Sequence, residues 1–329
     1  MMTTHDDVPH PVPPTAYLRY KENWFFILID VDNSVFGMAH FNYEPGHNRA
    51  RVSCNLVVRG ELHQYGNEIP FPEKFAYSPQ IGDHRLRATF VEAHTQIDLG
   101  LDSDAATLNL TLRRHAPTFD YEAYEAANPE KPTVREIVNF ATNQAYHHQQ
   151  QAMTMTGSLQ MKTGKIKGET IGIDGMAYRD HSRAIRADNM TLKHVWSFLY
   201  FPNRLFGAMS VYGVLRPATA ANGGYVYDGA GLRSLKDIDI GWEGDLSKGL
   251  PAAVNFKMND VYGTAYTVVA DISNRYGDVP LAVEKPGGGL PAYRIFETFC
   301  PLTLAETGEK GYGLVEIGDN PAHMSPRRT

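Results

Sequence analysis

Hydrophobic residues in this chain recur at every second position, a period that leaves little room for any fold but one made of strands. Met153, Met155, Leu159 and Met161 alternate with Thr154, Thr156, Ser158, Gln160 and Lys162, and Leu108, Leu110 and Leu112 alternate with Thr107, Asn109 and Thr111. Successive side chains of an extended backbone point to opposite faces, so this alternation predicts strands with one face buried. Further β-rich runs are expected at residues 24–31, 51–59, 87–97, 193–201, 208–215, 264–272 and 312–317. Helical signal is confined to residues 120–128, an acidic stretch stopped by Pro129, and to residues 134–140, which read equally as helix or strand. Many short strands and few short helices predict an all-β protein of antiparallel barrels or sandwiches. Residues 153–161 and 171–181 are expected to be neighbouring strands joined by the Lys-rich turn around Gly164 and Gly168.

Composition narrows the class of partner. With 329 residues, 43% hydrophobic and 21% charged, the chain is globular and long enough for one large domain or two ordinary ones. The balance of 31 basic and 37 acidic residues gives a net charge of -6, and no Lys/Arg cluster tracks a phosphate backbone, which argues against nucleic acid. Cys54 and Cys300 alone form neither a disulfide framework nor a zinc site, so a reducing cytoplasm is expected. Residues 1–14 lack the positive start and apolar core of a signal peptide, and their prolines predict an extended arm, poorly ordered or draped over a neighbour. The longest apolar stretches, residues 24–29 and 195–201, fall far short of the ~20 residues of a membrane-spanning helix, and a soluble protein is expected. Exposed barrel edges and the proline-rich arm are compatible with a homodimer.

The densest chemistry lies at residues 175–182, Gly-Met-Ala-Tyr-Arg-Asp-His-Ser. On a strand, Tyr178 and Asp180 would share one face while Arg179 and His181 share the other. The plainer alternative is a buried Arg179–Asp180 ion pair with His181 bonded to the backbone. His147 and His148 are adjacent, so at most one can face a given cavity and they cannot readily hold one metal together. There is no Gly-x-Ser-x-Gly elbow and no His-Glu-x-x-His helix, and the glycine-rich residues 284–290 lack the dinucleotide pattern. No metal, flavin or nicotinamide is therefore expected. The 18 Tyr, 15 Phe and 3 Trp include clusters at residues 24–26, 41–43, 196–201 and 225–227, enough to line an apolar cavity with a few polar handles. Trp24, Phe41, Asn42, Tyr43 and Trp196 are the candidate substrate contacts, although any single aromatic is more often an ordinary core residue.

The stretch Tyr146-His-His-Gln-Gln150 with Gly157, followed by Gly175 to Ser182 and Arg186, resembles the G-x-x-x-R-D-H-S-W-G-x-R signature of the carotenoid 1,2-hydratase and AttH-like group. Gly311-Tyr-Gly313-Leu-Val-Glu316 is similar to the G-x-G-x-x-E near the C-terminus of those chains. The sequence departs from the pattern where Arg183-Ala184 replaces Trp-Gly, which affects the pocket wall. The resemblance implies two lipocalin-like barrels in tandem, expected here at residues 1–170, with the N-terminal arm, and 171–329. It also implies a cofactor-free pocket for a hydrophobic molecule, in which relatives add water to alkenes, steer cyclisations or cleave carbon-carbon bonds.

Those reactions need proton transfer, and the residues allow it independently. Asp180, His181, Tyr178, Tyr146, His147 and Glu316 can each donate or accept a proton, and Arg179 or Arg186 can hold a substrate oxygen. The reading is a lyase, either a hydratase/dehydratase or a carbon-carbon lyase, acting on a hydrophobic aromatic or isoprenoid alcohol or alkene. An isomerase or cyclase in the same cavity is not separable from it by sequence. The reading from a different class is a non-catalytic carrier, in which the ionisable groups would be paired away from the ligand.

Overall fold

The protein is described by a computed structural model covering residues 6–13, 20–137, 147–185, 191–242, 246, 249–283 and 293–320. Its contacts divide it into two compact units, residues 1–120 with 146–186, and residues 121–145 with 187–329. The first holds β1 (Tyr20–Asp30), β2 (Val35–Glu44), β3 (Arg49–Val58), β4 (Glu61–Pro70), β5 (Gln80–Gly82), β6 (Leu86–Glu92), β7 (Gln96–Asp102), β8 (Ala106–Arg114), β9 (Phe119–Asp120), β10 (His147–Met161) and β11 (Thr170–Ile185). The second holds α1 (Tyr121–Ala127), α2 (Val134–Ile137), β12 (Thr191–Phe201), β13 (Arg204–Gly213), β14 (Arg216–Tyr227) and β15 (Leu232–Trp242). It continues through β16 (Ala253–Asp260), β17 (Ala265–Asp271), β18 (Gly277–Val283), β19 (Tyr293–Leu304) and β20 (Lys310–Asp319).

In the first unit the antiparallel order is β4-β3-β2-β1-β11-β10-β8-β7-β6-β5, with β9 added on β10. Alternation puts Leu108, Leu110 and Leu112 of β8 inward with Trp24, Phe26, Phe41, Val52 and Leu99, all at most 4% exposed. Each such side chain contributes about 1.5–3 kcal/mol by leaving water. The sheet curls around this core as a half-barrel. Side chains link the two ends of the sheet: Tyr65 Oη and Asn67 Nδ2 of β4 donate to Asp83 Oδ2, next to β5, at 2.5 and 2.7 Å, and the Gly82 amide of β5 donates to Tyr43 Oη of β2 at 2.8 Å.

The second unit is a closed barrel. Its order β17-β16-β15-β14-β13-β12-β20-β19 returns on itself through β17–β19 pairing, and β18 flanks β19. Val254, Phe256 and Met258 of β16 alternate inward, as do Val195, Leu199, Val315 and Ile317. The expected tandem of lipocalin-like barrels is the architecture seen, one closed and one curled.

Four sequence expectations change. The division expected between residues 170 and 171 falls inside the β10–β11 hairpin, which is paired from His147↔Arg183 to Gln160↔Thr170. A ladder that long keeps β11 in the first unit, and residues 121–145 fold with the second. The run at 87–97 is two strands, because the Thr95 amide bonds Glu92 O at 3.0 Å and turns the chain into a hairpin. The run at 208–215 stops at Gly213, where β13 ends. The N-terminal segment is neither loose nor draped elsewhere over residues 6–13: Asp7 and His10 are buried in the first unit, the Asp7 carbonyl accepts from Trp24 Nε1 at 3.2 Å, and the Pro9 carbonyl accepts from the Tyr77 amide at 2.7 Å. The acidic helix expected at 120–128 is α1, and residues 134–137 are the helical part of the ambiguous stretch.

Candidate active site

Both faces of β11 are closed around Tyr178, Arg179, Asp180, His181 and Ser182, all at most 9% exposed. Each face must therefore satisfy its own polar groups, since an unpaired buried one costs a kilocalorie or more. The alternation read from sequence holds, and it separates two clusters.

On the face turned away from the first unit's core, β10 supplies the partners. Even positions of β10 stand opposite even positions of β11, with His148↔Ser182, Gln150↔Asp180 and Ala152↔Tyr178. His148 Nε2 makes a very short hydrogen bond to Asp180 Oδ2. Gln150 Nε2 donates to the same oxygen at 3.1 Å, and Tyr178 Oη donates to Gln150 Oε1 at 2.6 Å. The result is a relay from phenol through carboxamide and carboxylate to imidazole, in which both contacts to Asp180 fall on Oδ2. Of the two partners, the Asp180 side chain is 12% exposed against 4% for His148, so the carboxylate is the end nearest to open space.

The opposite face looks into the first unit. His181 stacks on Trp24 with ring centroids 4.3 Å apart, and its Nε2 lies 3.0 Å from Glu22 Oε1. His10 Nδ1 lies 2.8 Å from the same oxygen, while the His10 amide and Tyr20 Oη donate to Glu22 Oε2 at 3.1 and 3.0 Å. Burial alone would raise the Glu22 pKa, but the bonds to His10 and His181 outweigh it and hold the carboxyl at about 2. Burial pushes His181 the other way, down to about 4, against the pull of Glu22. Arg179 is fully buried and pairs with Asp7 of the N-terminal segment, not with Asp180. Desolvation lowers its guanidinium pKa to about 10, which leaves it charged at neutral pH.

A third group belongs to the second unit. On the outward face of β12, β20 and β19, His194 Nε2 makes a very short hydrogen bond to Glu316 Oε1, and His194 Nδ1 lies 2.6 Å from Tyr293 Oη. Burial and then the charges of Glu316 and Asp319 push the Tyr293 phenol well above its ordinary value, so it stays protonated. Trp196 stands opposite Glu316 in the β12–β20 ladder. Gly318 leaves room for this group, because a Cβ there would meet the His194 ring at 2.3 Å and displace it.

Asp180 and Tyr178 are thus brought together, and Arg179 and His181 are brought together on the other side. His147 is on the face opposite Asp180, and the adjacent His148 takes the place expected for it. Trp24, Phe41 and Tyr43, at most 1% exposed, are packed core of the first unit and not a pocket wall. Asn42 donates to Glu44 Oε1 at 3.2 Å on the other face of β2. Glu316 is joined by His194 and Tyr293, which the sequence did not flag. Tyr146, Arg186 and the glycine-rich residues 284–290 lie outside the described residues. A separate groove of about 430 Å³ in the second unit is lined by Asn222, Ile238, Met258, Tyr266 and Lys257 among others. It lies where β14 and β15 part after three paired positions.

The fold and the buried polar face of β10 and β11 define a tandem lipocalin-like β-barrel protein. The chain belongs to the family described as a domain of unknown function (DUF7064), whose profile matches residues 3–321. No curated protein matches the sequence. Among solved structures, it is similar to an AttH candidate (NE1406) from Nitrosomonas europaea, with 13% identity over 90% of this chain and 92% of that one and a TM-score of 0.62. Kievitone hydratase from Nectria haematococca is also 13% identical, over 90% of this chain and 88% of that one, with a TM-score of 0.60. CghA, crystallised with Sch210972, is 11% identical over 94% and 93% with a TM-score of 0.61. At these identities the likeness is one of fold.

Proposed function

We propose that the protein is a hydratase-type lyase in which the Asp180–His148 pair is the proton-transfer centre. The observation that carries this reading is the buried relay on β10 and β11, where Tyr178 and Gln150 hold the carboxylate from behind and the imidazole shares its proton. The Asp180 side chain keeps 12% of its surface exposed while His148 keeps 4%, so the carboxylate is the member of the network that a substrate would meet. In the dehydration direction the carboxylate takes a proton from the carbon beside the carbinol. The proton held with His148 goes to the departing hydroxyl, the C–O bond breaks, a C=C bond forms and water leaves. Hydration is the reverse, and no oxidant or reductant enters. A hydratase of similar fold supports the reaction class, and an aromatic or isoprenoid alcohol or alkene is the substrate class we propose with it. Asp180→Asn keeps the size but removes the group that takes the proton, so turnover should fall about 100-fold or more while the melting temperature is held. Intact turnover with a sharply lowered melting temperature would make Asp180 a structural group and move the assignment to Glu316 with His194.

A second reading, a carrier for a hydrophobic ligand, is favoured by the groove in the second unit, whose volume suits a small molecule. Under that reading, ligand affinity is unchanged in Asp180→Asn and falls on filling the groove with Lys257→Trp, at an exposed position of its lining.

A further inference from the structure

We infer that His10, Glu22 and His181 form a binding site for one divalent transition-metal ion, Zn²⁺ or a cation of similar preference, inside the first unit. The inference is independent of the reaction proposed for Asp180. One ligand atom from each residue, two imidazole nitrogens and a carboxylate oxygen, lies within 4.8 Å of the other two, and all three residues are buried. Two histidines and a carboxylate are a donor set suited to such ions.

Proton counting favours a cation over a plain hydrogen-bond cluster. His181 Nδ1 lies 3.1 Å from the Asp6 carbonyl oxygen, which can only accept. A neutral imidazole has one N–H. In the tautomer whose N–H points at Asp6, the His181 Nε2 lone pair faces a carboxylate oxygen at 3.0 Å, an arrangement that calls for a positive charge between them, whereas the other tautomer donates to Glu22 and leaves Nδ1 facing the carbonyl oxygen. A second proton would supply one only by making His181 an imidazolium, two positions from the buried Arg179 guanidinium on the same face. A metal ion supplies it without protonating the ring. The surroundings have the form that supports metal ligands: with Nε2 on the ion, the His181 Nδ1–H would donate to the Asp6 carbonyl, and Glu22 Oε2 is held by Tyr20 Oη and the His10 amide. Ligand atoms around a tetrahedral ion stand about 3.3 Å apart at the bond lengths typical of zinc. The two nitrogens at 2.8 and 3.0 Å from Glu22 Oε1 need only a few tenths of an ångström to reach it.

The ion would be structural. It would tie the N-terminal segment through His10 to β1 through Glu22 and to β11 through His181, leaving the outward face of β11 untouched. The test is to strip the full chain with a chelator, titrate it with Co²⁺ and with Zn²⁺, and record visible absorption, bound metal per chain and melting temperature. One ion per chain is expected, with a cobalt absorption band and a melting temperature that rises on loading. His10→Ala, which alters only the segment outside the sheet, should weaken binding by about 100-fold or more, beyond the 10–100-fold usual for losing a supporting hydrogen bond. Glu22→Gln should abolish the cobalt band. If the folded wild-type chain takes up neither metal, or if His10→Ala binds as wild type does, the cluster is an imidazolium-carboxylate pair and the inference fails.

Discussion

At the scale of single residues, burial decides what each charge is for. Arg179 and Asp7 are both fully buried, and removing one partner takes away the other's nearest counter-charge, leaving Asp7 with the His94 amide at 2.5 Å. Arg179→Ala is expected to cost about 3–5 kcal/mol in denaturant unfolding, whereas Arg179→Met combined with Asp7→Leu should recover most of it. Equal losses in the single and the double variant would show that the pair is not the source. Glu44 gives a pH dependence of defined sign. Burial would raise its pKa, but Lys21 at 3.3 Å and the hydrogen-bonded Arg49 bring it down from 4.5 to about 2. A carboxyl depressed in the folded state contributes stability that is fully present above its unfolded value and lost as pH falls toward the folded one. Urea midpoints should therefore drop between about pH 5 and pH 2 in the wild type and drop less in Glu44→Gln. Parallel curves would remove Glu44 from the account.

At the scale of elements, the long β10–β11 hairpin does most of the positioning, and one glycine shapes it. Gly157 adopts φ 152°, and a Cβ there would sit 2.0 Å from the Asn109 carbonyl oxygen of β8. Gly157→Ala should cost about 1–3 kcal/mol, read as a lower thermal midpoint, because the obstructing atom is backbone and cannot swing away. An unchanged midpoint would mean that β8 and β10 part there without penalty. The hairpin also shows what was legible in the sequence. Period-two alternation and the glycine-flanked turn identified both strands, and strand parity placed Tyr178 with Asp180. The same parity could have selected His148 over His147, since even positions face even positions across this hairpin. The partners of the opposite face were not legible, because Asp7, His10 and Glu22 meet Arg179 and His181 only once the sheet has curled. No local spacing encodes contacts of that range. The domain division was missed for a related reason: the sequence shows where strands stop but not which ladder a strand completes.

At the scale of the whole molecule, barrels built on alternation leave a strand two faces to spend, one on core and one on chemistry. The aromatic residues expected around a substrate went largely to the first face, as Trp24, Phe41 and Tyr43 show, while the second face of β11 kept Asp180 and Tyr178. Chains 10–13% identical preserve this architecture, and an architecture alone does not fix a reaction. The central claim, water added or removed at a carbon by the Asp180–His148 pair, is tested most directly by mass spectrometry in heavy-oxygen water. Wild-type chain and Asp180→Asn are incubated with a panel of aromatic and isoprenoid alkenes and alcohols. The account predicts incorporation of one heavy oxygen into at least one compound by the wild type and a rate lower by about 100-fold or more in the variant. Incorporation at equal rates by both chains, or binding of the panel compounds with no exchange by the wild type, would contradict it.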